Sequence, residues 1–175
     1  MLKILKGLVF FLITASPIYA QDDFDCIYDK ITTKTTQQKL PEAQKTADSL
    51  YRFSQDPLDK TKSLMLSAHL YQQQGDFKKA IYYAENADVL INKTNNVELA
   101  SRITEFLARQ YRLVGLRERS KKYINKGFEL AKKIQDPKRH NETLGILNQE
   151  LAHCEMELEN YPMAVKYLGN LFKFL

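Results

Sequence analysis

The 175-residue sequence contains no tryptophan, two cysteines, six glycines and five prolines. Glycine and proline interrupt regular helices and supply tight turns, so their scarcity argues against a strand-rich domain. Long stretches of Lys, Glu, Gln, Leu and Ala are present instead, and these residues are strong helix formers. The composition therefore predicts an all-α fold.

Sequence motifs of the common enzyme classes are also missing. The chain has no glycine-rich phosphate loop, no His-Glu-x-x-His pair, no Cys-x-x-Cys and no serine in a nucleophile-elbow sequence. We therefore predict that the protein is not an enzyme and that it uses no cofactor.

The first twenty residues differ sharply from the rest. Lys3 and Lys6 precede an apolar run over residues 7–15, and a short segment then ends at Ala20. This is the form of a secretory signal peptide, and the apolar run is shorter than the about 20 residues that a membrane helix needs. Gln21 follows the expected cleavage site, where a lipoprotein would have cysteine. We predict export to the periplasm or cell envelope, with an uncleaved membrane anchor as the alternative.

Residues 64–87 contain the most informative pattern of the chain. Small and aromatic residues lie at fixed offsets around Gly75; they are Ala68, Tyr71, Phe77, Ala80, Ala84 and Ala87. Glycine tolerates the left-handed backbone that ends many helices, so a first helix is expected to turn at Gly75 and a second to pack back on it. The alanines mark where the two helix backbones come closest.

This pattern resembles a tetratricopeptide (TPR) repeat, with Leu64 in place of the usual bulky aromatic near the start of the first helix. The resemblance implies a superhelical solenoid of antiparallel helix pairs. One pair cannot bury its own apolar face, so the unit is expected to recur.

The pattern does recur, with decreasing fidelity. A second copy, 40 residues further on, contains Leu107, Ala108, Tyr111 and Gly115. A third copy contains Leu151, Ala152, Tyr161 and Ala164, with Glu159 in place of the turn glycine, 44 residues after Gly115. Both offsets exceed the 34 residues of the common TPR unit, so longer helices are expected.

Proline and asparagine mark where the first helices begin. Asp56-Pro57 and Asp136-Pro137 each offer a capping side chain followed by proline at the first helical position, and Asn96 precedes Val97. We divide the chain into a signal peptide (1–20), an eroded helix pair (21–55) and three TPR-like pairs (56–94, 95–134 and 135–175), with further units expected beyond them.

The resemblance to TPR repeats implies that the first helix of each pair lines a concave surface, and that this surface binds a protein or peptide. The polar residues implied on that surface are Lys62, His69, Gln72, Gln73, Arg102, Glu105, Arg109, Arg112, Gln149, His153 and Glu157. Arg102, Arg109 and Arg112 would give it a positive centre suited to an acidic or extended peptide. An ordinary solvated helix face is the alternative for these arginines. The asparagine-rich carboxylate clamp of chaperone-binding TPR domains is not reproduced.

A metal site is not expected, although His153 and Glu157 stand one helical turn apart. His69 would lie two helix pairs away, and helix layers stack at about 10 Å each, so it could not complete a metal site with His153 and Glu157.

Cys26 and Cys154 are near opposite ends of the array. A disulfide requires Cα atoms within about 7 Å, so we expect two separate thiols.

The segment from Arg117 to Arg139 carries nine basic and three acidic side chains. The basic residues are spread around the helix, so a solvated face or contact with anionic lipid headgroups is expected. Nucleic acid is not expected as a partner of this segment.

The last predicted helix runs from Tyr161 to Leu175 and ends on the apolar residues Leu168, Leu171, Phe172, Phe174 and Leu175. Terminal repeats need a polar outer face for solubility, so self-association, a partner or further chain is expected to cover it.

A signal peptide followed by long TPR-like units resembles the extracytoplasmic half of bacterial membrane-bound AraC-type or histidine-kinase regulators. Two hypotheses follow: an exported interaction scaffold, or the truncated sensor half of such a regulator, for which a membrane span downstream would be missing.

Overall fold

The computed structural model describes residues 40–171, and this part of the chain is all-α, as predicted. It contains no strand. Its seven helices are α1 (Leu40–Phe53), α2 (Pro57–Gln73), α3 (Phe77–Ile91), α4 (Val97–Leu113), α5 (Arg117–Ala131), α6 (Pro137–Met156) and α7 (Tyr161–Leu171). The predicted signal peptide, the first helix of the eroded pair, Cys26 and residues 172–175 lie outside the described residues.

The three predicted first-helix caps form as expected. The side chains of Asp56 and Asp136 accept hydrogen bonds from backbone amides of the first turns of α2 and α6, at 3.2 and 2.9 Å. Asn96 caps α4 in the same way, with its Oδ1 2.9 Å from the amide of Leu99. These bonds satisfy amides that have no partner within the helix, so each helix begins at the predicted position.

The same turn joins the two helices of all three pairs. In each turn a left-handed residue, Gly75, Gly115 or Glu159, has φ of 75°, 77° or 59°. The amide that follows it donates to the carbonyl five residues earlier, at 2.8–2.9 Å: Asp76 to Tyr71, Leu116 to Tyr111 and Asn160 to Glu155. This is the Schellman arrangement, which ends the first helix and sends the chain back along it.

We expect the Glu159→Gly variant to raise the free energy of unfolding by about 1 kcal/mol. A residue with a Cβ loses about 1–2 kcal/mol in the left-handed region, and the larger backbone entropy of unfolded glycine offsets part of the gain. Urea denaturation followed by far-UV circular dichroism measures the difference. Gly115→Glu is the matched control and should lose a similar amount. A Glu159→Gly variant less stable than the wild type would contradict the prediction.

The buried core consists of three clusters, each of which joins helices of neighbouring pairs. One cluster joins α2, α3 and α4 and contains the fully buried alanines Ala68, Ala80, Ala84 and Ala87. A second joins α1 to α2 through Leu40, Ala43, Ala47, Leu66 and Leu70, and a third joins α4, α5 and α6 through Ala108, Ile124, Leu147 and Cys154. Cys154 is a buried free thiol, and burial raises its pKa.

Most of the other predicted repeat positions also pack in this core. Leu107, Ala152 and Ala164 are buried, whereas Tyr71, Phe77 and Leu151 are half-buried. Tyr161 is the exception, because it is 61 % exposed at the start of α7. The third pair therefore matches the pattern least well.

The 40-residue offset extends to contacts between side chains. Tyr71 stacks on Tyr83 with ring centroids 5.2 Å apart, and Tyr111 stacks on Tyr123 at 5.5 Å. A cation eight residues after the first tyrosine covers its ring in both pairs, Lys79 at 4.9 Å and Arg119 at 5.4 Å. Equivalent residues of the first two pairs therefore occupy equivalent environments.

Candidate binding surfaces

The predicted partner-binding residues of α2 remain accessible. His69 and Gln73 are exposed, and Lys62 and Gln72 are half-buried. The His69 ring packs edge-on against Phe106 of α4, with centroids 4.6 Å apart. Protein atoms around the imidazole disfavour its charged form and lower its pKa; a hydrogen bond with Gln72 opposes this shift, and the Arg109 guanidinium adds to it.

We expect His69 to make the protein less stable in mild acid. Its folded pKa lies below the ordinary value of 6.5, so the unfolded state takes up the proton first. The stability linked to neutral His69 is therefore present above about pH 6.5 and is lost as the pH falls through the folded pKa. Urea denaturation on both sides of this range should show a smaller decrease in the His69→Gln variant. A decrease equal to that of the wild type would contradict the prediction.

Two arginines of α4 converge on one buried carboxylate of α6. Arg109 Nε lies 2.8 Å from Glu150 Oε1, and Arg112 Nε lies 2.9 Å from Glu150 Oε2. Glu150 is only 1 % exposed. Arg112 also donates through Nη1 to Glu157, at 2.8 Å. These contacts join the second helix pair to the third through charge-assisted hydrogen bonds.

Glu105 lies in a second buried ion pair and is not available to a partner. Its Oε1 lies 2.7 Å from Nη2 of Arg139, which also donates to Ser101 Oγ at 3.1 Å. Glu105 and Arg139 are each 7 % exposed. The prediction that Glu105 contributes to the binding surface is therefore wrong, because the side chain of Arg139, in the first turn of α6, covers its carboxylate.

The predicted positive centre is also largely neutralised. The Glu150 carboxylate pairs with Arg109 and Arg112, so these side chains are not free to hold an acidic peptide. Arg102 is exposed, and among residues 40–171 no carboxylate lies within ion-pair distance of it. Arg102 is therefore the exposed arginine of this predicted centre that has no carboxylate partner among residues 40–171, whereas Arg109 is exposed but paired with Glu150.

The predicted residues of α6 and of its C-cap, Glu157, are either half-buried or paired within the chain. Gln149 and His153 are half-buried, and Glu157 pairs with Arg112 and Arg117 at 2.8 and 3.4 Å. Burial opposes ionisation of Glu157, but the hydrogen bonds from these two arginines outweigh it and hold its pKa below the ordinary value. Glu157 therefore acts here as a partner of arginines within the chain.

The sequence interpretation missed Glu150 and the structural role of Arg139. The 44-residue offset places Glu150 at the position of Phe106. The available signal for Glu150 was a glutamate at a position that is apolar in the preceding pair. The neighbouring helix carries the arginines with which such a glutamate could pair.

Much of the basic segment from Arg117 to Arg139 is also paired with acidic residues. Its cations reach carboxylates on other helices: Arg117 to Glu157, Lys121 to Glu155, Lys126 to Asp88 and Arg139 to Glu105. Lys122, Lys133 and Lys138 remain exposed. The segment therefore presents less positive charge to solvent than its composition indicates.

An open groove of about 450 Å³ lies between α1 and α3, above α2. Tyrosines and apolar side chains line most of it, with Asp48, Arg52, Ser67 and Asn86 as its other polar residues. Tyr51, Tyr82 and Val89 in this groove are 39–64 % exposed. The sequence pattern did not predict this surface, because the TPR resemblance implies binding residues on the first helix of each pair, whereas α1 and α3 are second helices.

A second groove of about 370 Å³ lies at the turn between α4 and α5, where Leu116 and Leu158 are about half exposed. The same groove is lined by Arg117 and Lys121, which are paired with glutamates. Its exposed character is therefore mainly apolar.

No protein-family model matches the chain, and no curated protein matches it. Between residues 40 and 171 there is no group of three or more His, Cys, Asp or Glu side chains suited to a metal ion. No helix in that range is long and apolar enough to cross a membrane.

Proposed function

We propose that this protein is a non-catalytic, TPR-like interaction scaffold, exported to the cell envelope, that binds a protein or peptide on the face formed by α2, α4 and α6. The observation that carries the proposal is the repetition of one helix pair with the same turn and, in two pairs, the same tyrosine stack. Repeated pairs that contact mainly their neighbours create an extended surface, which is how helical-repeat proteins bind partners.

The ion-pair network supports a scaffold role. Glu150 and Glu105 fix α6 against α4 through arginines, so the exposed residues of these helices are held at a constant spacing. Preorganisation of this kind lowers the entropy that a bound partner would otherwise have to offset. His69, Gln73 and Arg102 are the exposed polar residues on which we expect the partner to depend.

Selection of a random peptide library displayed on phage against the purified protein tests this function. We expect an enriched consensus peptide whose binding weakens in the Gln73→Ala and Arg102→Glu variants. Asn125→Ala, on the exposed surface of α5, is the matched control and should leave binding unchanged. Absence of a consensus, or a consensus peptide insensitive to both face variants, would contradict the proposed surface.

Mass spectrometry of the exported protein tests export separately, since cleavage after Ala20 leaves Gln21 as the first residue.

The second candidate function is the sensor half of a membrane-bound regulator. Tyr161 and Val165 of α7 favour it, because these two side chains, one helical turn apart, are 61 % and 67 % exposed. Exposed apolar side chains of this kind also favour self-association. Analytical ultracentrifugation tests this surface, and we expect the Val165→Lys variant to reduce any self-association.

A further inference from the structure

The side chain of Lys126 extends from α5 to Asp88 of α3, so its ammonium group lies between these two helices. Its Nζ lies 2.6 and 2.8 Å from the two carboxylate oxygens of Asp88. The same Nζ lies 5.9 Å from the centroid of the Tyr123 ring. A carboxylate attracts a cation by its charge and an aromatic face by its quadrupole, so the two groups form a site for an ammonium ion.

The 40-residue offset places the same carboxylate and ring between α1 and α3, but not the lysine. Asp48 corresponds to Asp88, and Tyr83 corresponds to Tyr123. Asn86 stands where the next pair has Lys126, and its side-chain amide donates to the carbonyl of Tyr82 at 2.9 Å. All three residues line the groove between α1 and α3. The groove therefore has the anion and the ring of an ammonium site but no lysine equivalent to Lys126.

Asp48 supplies the negative charge of this groove. Within residues 40–171 its carboxylate accepts a hydrogen bond from Gln44 Nε2, at 3.1 Å, and forms no ion pair. Burial raises the pKa of Tyr83 to about 12, with further contributions from Tyr71 and Asp48. The geometric link between the two groups is the groove itself, which both Asp48 and Tyr83 line.

Two cations of the chain oppose the binding of another positive charge. Arg52 lines the groove one helical turn after Asp48, and Lys60 Nζ lies 5.7 Å from the centroid of the Tyr51 ring. Neither pairs with Asp48 among the described residues. Tyr51 and Tyr82 add exposed rings, and a volume of about 450 Å³ falls in the range of pockets that enclose small ligands or side chains.

We propose that the groove between α1 and α3 binds a lysine side chain of a partner peptide, with the ammonium group between Asp48 and Tyr83. The bound lysine takes the place that Lys126 occupies in the next pair. The aliphatic part of the side chain packs against the tyrosines and Val89. This site does not depend on the proposed face of α2, α4 and α6, because the two surfaces use different residues.

NMR titration of the purified protein tests this site with synthetic probes. The probes are the peptide acetyl-Gly-Leu-Lys-Leu-Gly-amide, its analogue with norleucine in place of lysine, and n-butylammonium chloride. We expect the lysine peptide to shift the Tyr83 ring signals saturably and to bind at least about tenfold more tightly than the norleucine peptide. Equal binding of the two peptides would overturn the proposal. Binding of n-butylammonium without the lysine peptide would overturn its assignment to a peptide ligand.

Variants separate the ammonium site from a general apolar groove. Asp48→Asn should weaken the lysine peptide by about tenfold or more, and Asn86→Lys should block it by supplying the missing cation from within the chain. Arg52→Gln should strengthen binding, because it removes a like charge. Asp88→Asn is the matched control outside the groove and should leave the affinity unchanged. Unchanged affinity in both Asp48→Asn and Asn86→Lys would overturn the proposal, and circular dichroism confirms that each variant folds. The phage selection above tests the other face independently.

Discussion

The Glu150→Ala variant is expected to lose about 2–3 kcal/mol of the free energy of unfolding, because Arg112, whose side chain is 13 % exposed, loses one of its two carboxylates, while solvent reaches Arg109, whose side chain is 44 % exposed. Glu150 receives hydrogen bonds from Arg109 and Arg112 at 2.8 and 2.9 Å and is 1 % exposed. Arg112 retains Glu157, but Arg109 loses its one carboxylate among the described residues. Urea denaturation followed by far-UV circular dichroism measures the loss.

The first two helix pairs provide the control for this prediction. His69 and Phe106 occupy the positions that correspond to Arg109 and Glu150, and their rings are in contact. We expect the double variant Arg109→His/Glu150→Phe to recover most of the stability lost by Glu150→Ala, because packed apolar groups often replace a buried ion pair without loss.

An ion pair whose carboxylate is exposed sets the lower limit of the scale. Glu142 contacts Arg139 at 3.7 Å, and its side chain is 48 % exposed. Glu142→Ala should therefore cost less than about 1 kcal/mol. A loss of this size for Glu150→Ala would contradict the prediction and show that Glu157 and solvent compensate both arginines.

Local sequence signals were sufficient to predict the helices and their turns. Asp56, Asn96 and Asp136 bind backbone amides within their own first turns, and Gly75 and Gly115 adopt a conformation that depends on their own backbone. Such features act over a few residues, so they can be read from spacing alone.

The contents of the interfaces between helix pairs could not be predicted in the same way. Arg109 and Glu150 are 41 residues apart, and Glu105 and Arg139 are 34 apart. Three arginines on one helix face have the same pattern whether the neighbouring helix supplies a carboxylate or leaves them in solvent. The sequence therefore indicated a positive surface where the fold forms an ion-pair network.

The groove between α1 and α3 shows a different limit of sequence interpretation. Its distinguishing feature is the difference between Asn86 and Lys126, which occupy equivalent positions of two repeats. This difference has meaning only when the partner of Lys126 is known to be Asp88. Equivalent interfaces within one chain therefore contain information that the repeat pattern alone does not.

Gln110 occupies a position of α4 that its neighbouring pairs fill with less polar side chains. The corresponding residues are Leu70 in the first pair and Cys154 in the third, and both are buried. Gln110 is itself 0 % exposed, and neither its Oε1 nor its Nε2 has a hydrogen-bond partner among residues 40–171. A buried amide without partners loses its hydration and gains nothing in exchange.

We expect the Gln110→Leu variant to be more stable than the wild type by about 1–3 kcal/mol, since it removes the desolvation penalty and buries additional apolar surface. Gln44→Leu is the matched control: Gln44 is also buried, but its Nε2 donates to Ser67 and Asp48 at 2.9 and 3.1 Å. That variant should be less stable, because it leaves these acceptors without the amide. Opposite changes in the two urea midpoints would show that hydrogen bonding, and not polarity alone, sets the contribution of a buried glutamine. Destabilisation in both variants would contradict the prediction and assign a hydrogen-bonding role to Gln110.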